Sequence, residues 1–406
     1  MWQLSDAMHF PLLLIGVIFL NRYFFGLLMK ELRQPSKSTC DKSNSTPCFD
    51  FKSVTVIVPL YNEGESIYHT LMSIAASDYP QERLQIMAVD DCSGDDSYQW
   101  ALAAAAKNSR ISVIRNSHNM GKRLSIAAAV QRAQSEFIVS VDSDVMVEPD
   151  AIGKLLAAFT TPDIAAVGGR VHVINCHVNW LTKMQTIKYF IGYEYLKNLE
   201  NAFSSVMCLS GCLTAYRRHV LLELEPTLLN RSLFNIPIKY GEDRFLTRQI
   251  IKLGYKTKLI VDAHCFTKAP TTIGNYFSQQ LRWRRSNIVD FIGGISHIWR
   301  INVFVALHYV ALQSLILCYP VYLWGIFASG SFFEGMAIHA GILSFYGAVY
   351  AFKSQHLAAK YRVNPVHVLG LALMLPLTYM VISVLAAFTL DAGSWETRKV
   401  QARTVS

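Results

Sequence analysis

Phe137-Ile-Val-Ser-Val-Asp-Ser-Asp144 is the stretch on which the fold turns. An apolar, largely β-branched run stops abruptly at two carboxylates one residue apart. So short and continuous a run fits a strand buried on both faces, with its polar end where the chain leaves the sheet. The pattern recurs upstream in VTVIVPL (Val54–Leu60), LQIMAVDD (Leu84–Asp91) and ISVIRN (Ile111–Asn116). Helical stretches are expected between these strands, at 65–76, 95–107 and 125–133. Alternation of this kind predicts an α/β fold, a mostly parallel sheet covered by helices. Ligands of open α/β sheets bind beyond the carboxyl ends of the strands. The polar clusters fall there: Tyr61-Asn62-Glu63, Asp90-Asp91, and Asp142 with Asp144.

Each cluster has a chemical reading and a plainer one. Asp142 and Asp144 can hold Mg²⁺ or Mn²⁺, with diphosphate oxygens completing the shell, or form an acidic surface turn. An Asp90-Asp91 carboxylate can accept from uracil or ribose, or cap the next helix. Lys122, in Asn119-Met-Gly-Lys-Arg123, can reach a diphosphate from a Gly-containing loop, or be a solvated lysine. In Gly241-Glu-Asp-Arg244, ahead of a helix at 245–253, an aspartate can act as general base or cap that helix. Gln279 and Arg282 stand three apart on one helical face, where Arg can bind phosphate through its planar fork. Trp283 offers a flat surface for a sugar ring, or with its arginine neighbours anchors a membrane helix at the interface.

Hydrophobic residues make up 52% and charged residues 17% of the 406 positions, and the apolar ones cluster. Residues 301–333, 335–352 and 363–390 contain no Asp, Glu, Lys or Arg. A spanning helix needs about 20 mostly apolar residues, so the chain is expected to be membrane-embedded. Phe10–Leu28 reads as a retained anchor, with Arg22 at the interface and Lys30, Arg33 and Lys37 on the cytosolic side. The net charge of +9 flanks apolar segments, which favours membrane lipids as partners over nucleic acid. The eight cysteines show no CxxC spacing, so neither a zinc site nor a disulfide framework is expected. Six segments follow: an anchor (1–34), a linker (35–51), a catalytic domain (52–268), interfacial helices (269–300), a transmembrane region (301–390) and a cytosolic tail (391–406). The last apolar stretch is short for two spans and carries Pro376 near its middle. A re-entrant or interfacial hairpin is therefore expected there.

The order YNE (Tyr61–Glu63), VDD (Val89–Asp91), NMGKR (Asn119–Arg123), DSD (Asp142–Asp144), SGCLTAYRR (Ser210–Arg218), GEDR (Gly241–Arg244) and QQLRW (Gln279–Trp283) resembles the processive family-2 glycosyltransferases. Within them it is similar to bacterial hyaluronan synthases and nodulation-type chitooligosaccharide synthases. The resemblance is strong over residues 52–300 and rests on layout beyond. Ser394-Trp-Glu-Thr-Arg398 also resembles the family's WGTR gating loop, with Glu396 where Gly is usual. The resemblance implies a cytosolic GT-A-type domain with membrane and interfacial helices. It implies a UDP-sugar donor, a growing polysaccharide acceptor and Mn²⁺ or Mg²⁺. Tyr61, Glu63 and Asp91 would bind uridine, Lys122 and Asp142 the diphosphate, and Asp144 the metal. Asp243 would be the base, Gln279 and Arg282 would steady the diphosphate, and Trp283 would stack on the acceptor. Trp395 and Arg398 would close over the nucleotide. Hyaluronan is the expected product, with a chitin-like chain as the alternative. Single addition to a lipid carrier, and a nucleotide-sugar sensor without turnover, are the further readings.

Overall fold

The computed structural model describes residues 52–392 except 297, 329 and 331. The expected anchor, the linker and the SWETR tail with Trp395 and Arg398 lie outside the described residues. Ten strands are defined: β1 (Val54–Leu60), β2 (Leu84–Asp90), β3 (Ile111–Arg115), β4 (Phe137–Ser140), β5 (Met146–Val147), β6 (Ile164–Val173), β7 (Thr214–Arg217), β8 (Ser232–Leu233), β9 (Ile236–Pro237) and β10 (Lys256–Thr267). Eight of them form one sheet in the order β3-β2-β1-β4-β7-β6-β10-β5, and β8 and β9 form a small separate hairpin. The pairs β1–β2, β1–β4, β2–β3 and β6–β10 are parallel.

Register explains why the polar clusters meet. Leu60 pairs with Asp90 and Ile57 with Ser140, so three chains leave the sheet side by side. β7 is antiparallel to both β4 and β6. Because Thr214 pairs with Ser140, the segment that enters β7 arrives at the same edge as Asp142. β1 is buried along its whole length, as an unbroken apolar strand covered on both faces must be. The core joins Val56, Ile57, Ile86, Phe137 and Ile138 to helix residues such as Ile67, Leu71 and Ile74.

Several boundaries move. β4 ends at Ser140, and Asp142 to Asp144 form the turn after it, closed by Val145 N–H donating to Asp142 O at 3.2 Å. The helix expected to start at residue 125 starts at Lys122, preceded by Gly121 at φ 86°. Glu242 and Asp243 lie in the first turn of the helix Glu242–Lys252 rather than ahead of it.

The helix Ile273–Ile295 carries Gln279, Arg282 and Trp283. Two helical segments, Phe332–Lys353 and Ala359–Phe388, are long and apolar enough to cross a membrane, and the pair Val303–Ser314 and Cys318–Ala328, bent by 43°, makes a third if counted as one span. The expected hairpin at Pro376 does not form. From Pro365 to Phe388 the backbone stays helical, and the wider turn Thr378–Ile382 follows the proline. A turn of that kind accommodates the hydrogen bond that proline removes without reversing the chain.

Gly241 is a tight point of the fold. Its φ is 68°, and a Cβ there would lie 2.0 Å from Ser286 Oγ on the long helix. Gly241→Ala is expected to cost about 2 kcal/mol or more, from left-handed strain plus overpacking. A thermal midpoint unchanged in detergent would show that the helix yields freely at Ser286.

Candidate active site

The loops after β1 and β2 are stitched together. Asn62, at φ 52°, receives Gly94 N–H on its Oδ1 at 2.9 Å, while its own N–H donates to Ser93 Oγ at 3.0 Å. Glu63 Oε1 accepts from Ser143 Oγ at 2.6 Å, tying the YNE loop to the DSD turn. Thr70 Oγ1, donating to Ser143 O at 2.9 Å, fixes that turn from below. Tyr61 stands half-buried at the head of the loop.

Asp91 caps no helix, since Asp96 precedes the helix Ser97–Lys107. Its carboxylate accepts from Met120 N–H at 2.9 Å, Gly121 N–H at 2.7 Å and Asn116 Nδ2 at 2.8 Å. Asp91 thus anchors the loop from which Lys122 projects, a tethering role that motif reading did not supply.

Lys122 is the centre of the constellation. Its ammonium lies 2.6 Å from Asp142 Oδ1 and 2.5 Å from Glu242 Oε1. Burial opposes its charge, but Asp142, Glu242 and Asp243 outweigh that and hold it well above the ordinary lysine value. Glu242 was read from sequence only as a neighbour of Asp243. It is the second anchor of Lys122, which brings its carboxyl below the usual range against the cost of burial. Gly211 forms the floor. A Cβ there would stand 3.1 Å from Lys122 Nζ and 3.2 Å from Asp142 Oδ1, so any side chain there would crowd the ion pair.

Asp243 points to the same floor, accepting from Gly211 N–H at 3.2 Å and from Arg244 N–H at 2.8 Å. Burial, then the charge of Glu242, pushes its carboxyl above the ordinary aspartate range. That is the direction a general base near neutral pH requires. Asp144 is raised to about 6 by burial and by Asp142, partly offset by Lys122 and Arg282.

On the helix Ile273–Ile295, Arg282 faces the carboxylates and its charge also lowers the Glu242 carboxyl. Trp283 is half-buried, with its ring 6.1 Å from that of Tyr189. Gln279 is half-buried and accepts from the Gln280 side-chain amide at 3.4 Å. Among the described residues no three His, Cys, Asp or Glu side chains form a metal cage. The pair Asp142 and Asp144 still suits a hard cation, because ions of the Mg²⁺ type are commonly held by one or two carboxylates plus substrate phosphates. Mutual repulsion of these two carboxylates supplies the negative potential such an ion would relieve. The six described cysteines are free thiols.

The family model described as glycosyltransferase like family 2 matches residues 52–286, and the chain belongs to that family. The chain is 34% identical over 240 residues to an N-acetylglucosaminyltransferase of Rhizobium meliloti (strain 1021), covering 59% of this chain and 56% of the relative. To an N-acetylglucosaminyltransferase of Mesorhizobium japonicum it is 31% identical over 257 residues, covering 63% and 60%. To the hyaluronan synthase of Streptococcus pyogenes serotype M1 it is 30% identical over 290 residues, covering 70% and 66%. The matched region thus spans less than two thirds of the length of these relatives. A mannosyltransferase of Pyrobaculum calidifontis, solved with GDP-Man and Mn²⁺, shares the fold, with a TM-score of 0.59 at 18% identity over 95% of this chain and 97% of that one. The fold is therefore GT-A-like, as the sequence led us to expect.

Replacing the Asp91 carboxylate tests the tether. Each charged hydrogen bond lost from a buried site is worth about 1.5–3 kcal/mol. Asp91→Asn is therefore expected to speed amide exchange at Met120 and Gly121 by roughly tenfold or more. Unchanged exchange at both would mean that other contacts hold the loop.

Proposed function

We propose that the chain is a membrane-embedded, processive, inverting β-glycosyltransferase that polymerises UDP-sugars and passes the product through its own membrane helices. The observation that carries this reading is the convergence of Lys122, Asp142, Glu242 and Asp243 above Gly211, with Arg282 and Trp283 on the adjoining helix. Such a site can neutralise a leaving diphosphate, accept a proton from an attacking hydroxyl and seat a sugar ring, all within one polar edge.

In this reading Tyr61, Glu63 and Asp91 form the uridine end of the site. Asp91 acts there largely by fixing the 119–121 loop. Lys122, Gln279 and Arg282 face the diphosphate, whose negative charge grows as the bond to the anomeric carbon breaks. Asp142 and Asp144 would hold Mn²⁺ or Mg²⁺, which supplies further neutralisation of that charge when bound. Asp243 takes the proton of the acceptor hydroxyl as its oxygen bonds to the anomeric carbon. The bond to UDP breaks on the opposite face, which inverts the configuration. Trp283 supports the acceptor ring, and Trp395 with Arg398 would close the nucleotide side. The catalytic domain and the tail would face the cytosol.

Hyaluronan, made from UDP-GlcNAc and UDP-glucuronate, is the product we favour, because the chain layout and the SWETR tail resemble those synthases. A chitin-like product from UDP-GlcNAc alone is the second reading, favoured by the names of the rhizobial relatives. UDP-GlcNAc is a donor in both.

UDP release and product size, measured on the full chain in nanodiscs with Mn²⁺ or Mg²⁺, test these assignments. Polymer only with both donors supports the hyaluronan reading, and polymer from UDP-GlcNAc alone supports the chitin-like one. Asp243→Asn is expected to lower kcat by about 10²–10⁴-fold. The acid limb of the rate profile is expected above the ordinary aspartate range, since the base works only when deprotonated. Turnover unchanged in Asp243→Asn would overturn the mechanism.

A further inference from the structure

Lys188 is a cation that the mechanism above does not use. It lies on the helix Trp180–Ile191, whose start is fixed by a reciprocal capping box between Asn179 and Thr182. Two further bonds hold this helix against the chain entering the long interfacial helix: Gln185 Nε2 to Pro270 O at 2.8 Å, and Asn179 Nδ2 to Thr271 O at 2.8 Å. The Lys188 side chain is therefore delivered to a fixed place. Its ammonium donates to Gln280 Oε1 at 2.7 Å and lies 5.5 Å and 5.8 Å from the ring centres of Tyr276 and Trp283.

Among the described residues no carboxylate is paired with Lys188, and the like charge of Arg284 acts against its own. Burial, then Arg284, pulls the ammonium down to about 7. A half-buried cation resting on an amide oxygen and aromatic faces is costly, and a carboxylate in contact would offset part of that cost. The side chain is half-buried, so a ligand lying along Trp283 can reach it. The neighbouring Tyr189 hydroxyl feels the charges of Asp144 and Arg282, so this cluster adjoins the carboxylate and arginine groups of the site.

We infer that Lys188 is a specificity-determining residue of the acceptor site, where its ammonium, held by Gln280 beside Trp283, binds the carboxylate of a uronate sugar. The inference rests on the transferase reading above and names the acceptor class: a chain carrying acidic sugars. Lys188 contacts the acceptor rather than the reacting atoms, so selectivity is the property it sets.

The test uses the full chain in nanodiscs, with UDP-GlcNAc as donor. Two acceptors are compared: a hyaluronan tetrasaccharide with glucuronate at its non-reducing end, and chitotetraose. In Lys188→Gln, the ratio of kcat/KM for the uronate-ended acceptor to that for chitotetraose is expected to fall roughly ten- to hundredfold, carried by KM. Lys188→Arg is expected to keep the ratio within about threefold, because it keeps the charge. Equal losses on both acceptors in Lys188→Gln would overturn the inference and leave Lys188 a support for Trp283. A control on the wild-type chain needs no substitution. Methyl esterification of the glucuronate is expected to weaken calorimetric binding, measured without donor, by a similar factor. Binding unaffected by the ester would also overturn the inference. If no UDP is released with any acceptor, the transferase reading fails, and the calorimetric comparison still decides the role of Lys188.

Discussion

The Lys122 ion pair is the constraint on which the site depends. One ammonium bridges Asp142, in the turn after the fourth strand, and Glu242, in the first turn of a helix a hundred residues later in the chain. Neither contact is solvated enough to be treated as a surface pair. Removing one partner of a buried pair typically costs about 3–5 kcal/mol, so the three segments hold a common geometry. The charges do not balance locally, because Lys122 serves several carboxylates at once. Burial first, and then the neighbouring carboxylate, raises Asp144 to about 6 and Asp243 above its ordinary range. A site built this way is primed for cations on one side and for a proton on the other.

A second buried cluster positions the long helix Ile273–Ile295 against this centre. Asp290 accepts from Arg231 at 3.2 Å and from Arg248 at 3.1 Å, and it is 1% exposed. Arg231 also donates to the carbonyls of Tyr240 and Gly241, at 2.5 Å and 2.9 Å, and Arg248 to that of Gly293 at 2.9 Å. Asp290, on the helix that carries Trp283, is thus linked through Arg231 to the turn before Asp243 and through Arg248 to the helix Glu242–Lys252. A carboxylate with two guanidinium partners and satisfied lone pairs is the form in which buried charge is tolerated. The consequence is positional: Asp243 and Trp283 are tied into one buried network.

Much of this was legible in the sequence. Short β-branched runs ending in acidic residues marked the first, second and fourth strands and, through the sheet rule, one shared edge. What escaped has identifiable causes. The β7 strand TAYR is too short to show a period, yet its reversed direction is what brings Gly211 beneath the ion pair. The helix at Lys122 begins with two basic residues, which oppose the helix dipole, so local preference placed its start three residues late. Glu242 sat in plain view beside Asp243, but adjacency cannot tell which of two carboxylates faces a distant lysine. Lys188 carried no signal, because its distinguishing property, no anionic partner among the described residues, exists only in three dimensions.

The last apolar stretch shows how a sound constraint can be met by another geometry. The expectation of a hairpin came from the need to return the chain toward the site within too few residues. The helical run Pro365–Phe388 instead lies along the helix Ile273–Ile295. Arg284 covers the Tyr379 ring at 4.1 Å, and further on Arg285 donates to Thr389 Oγ1 at 2.8 Å. Near its start Gly370 packs against Met184 of the helix that bears Lys188. A helix that tracks along an element already docked beside the sheet domain has no need to turn back. Its far end arrives at the site directly, where Leu390 O accepts the Tyr240 hydroxyl at 2.8 Å, one residue before Gly241. Proline in the middle is then an asset rather than a break, since a bend lets an apolar helix follow a neighbour's surface over many residues.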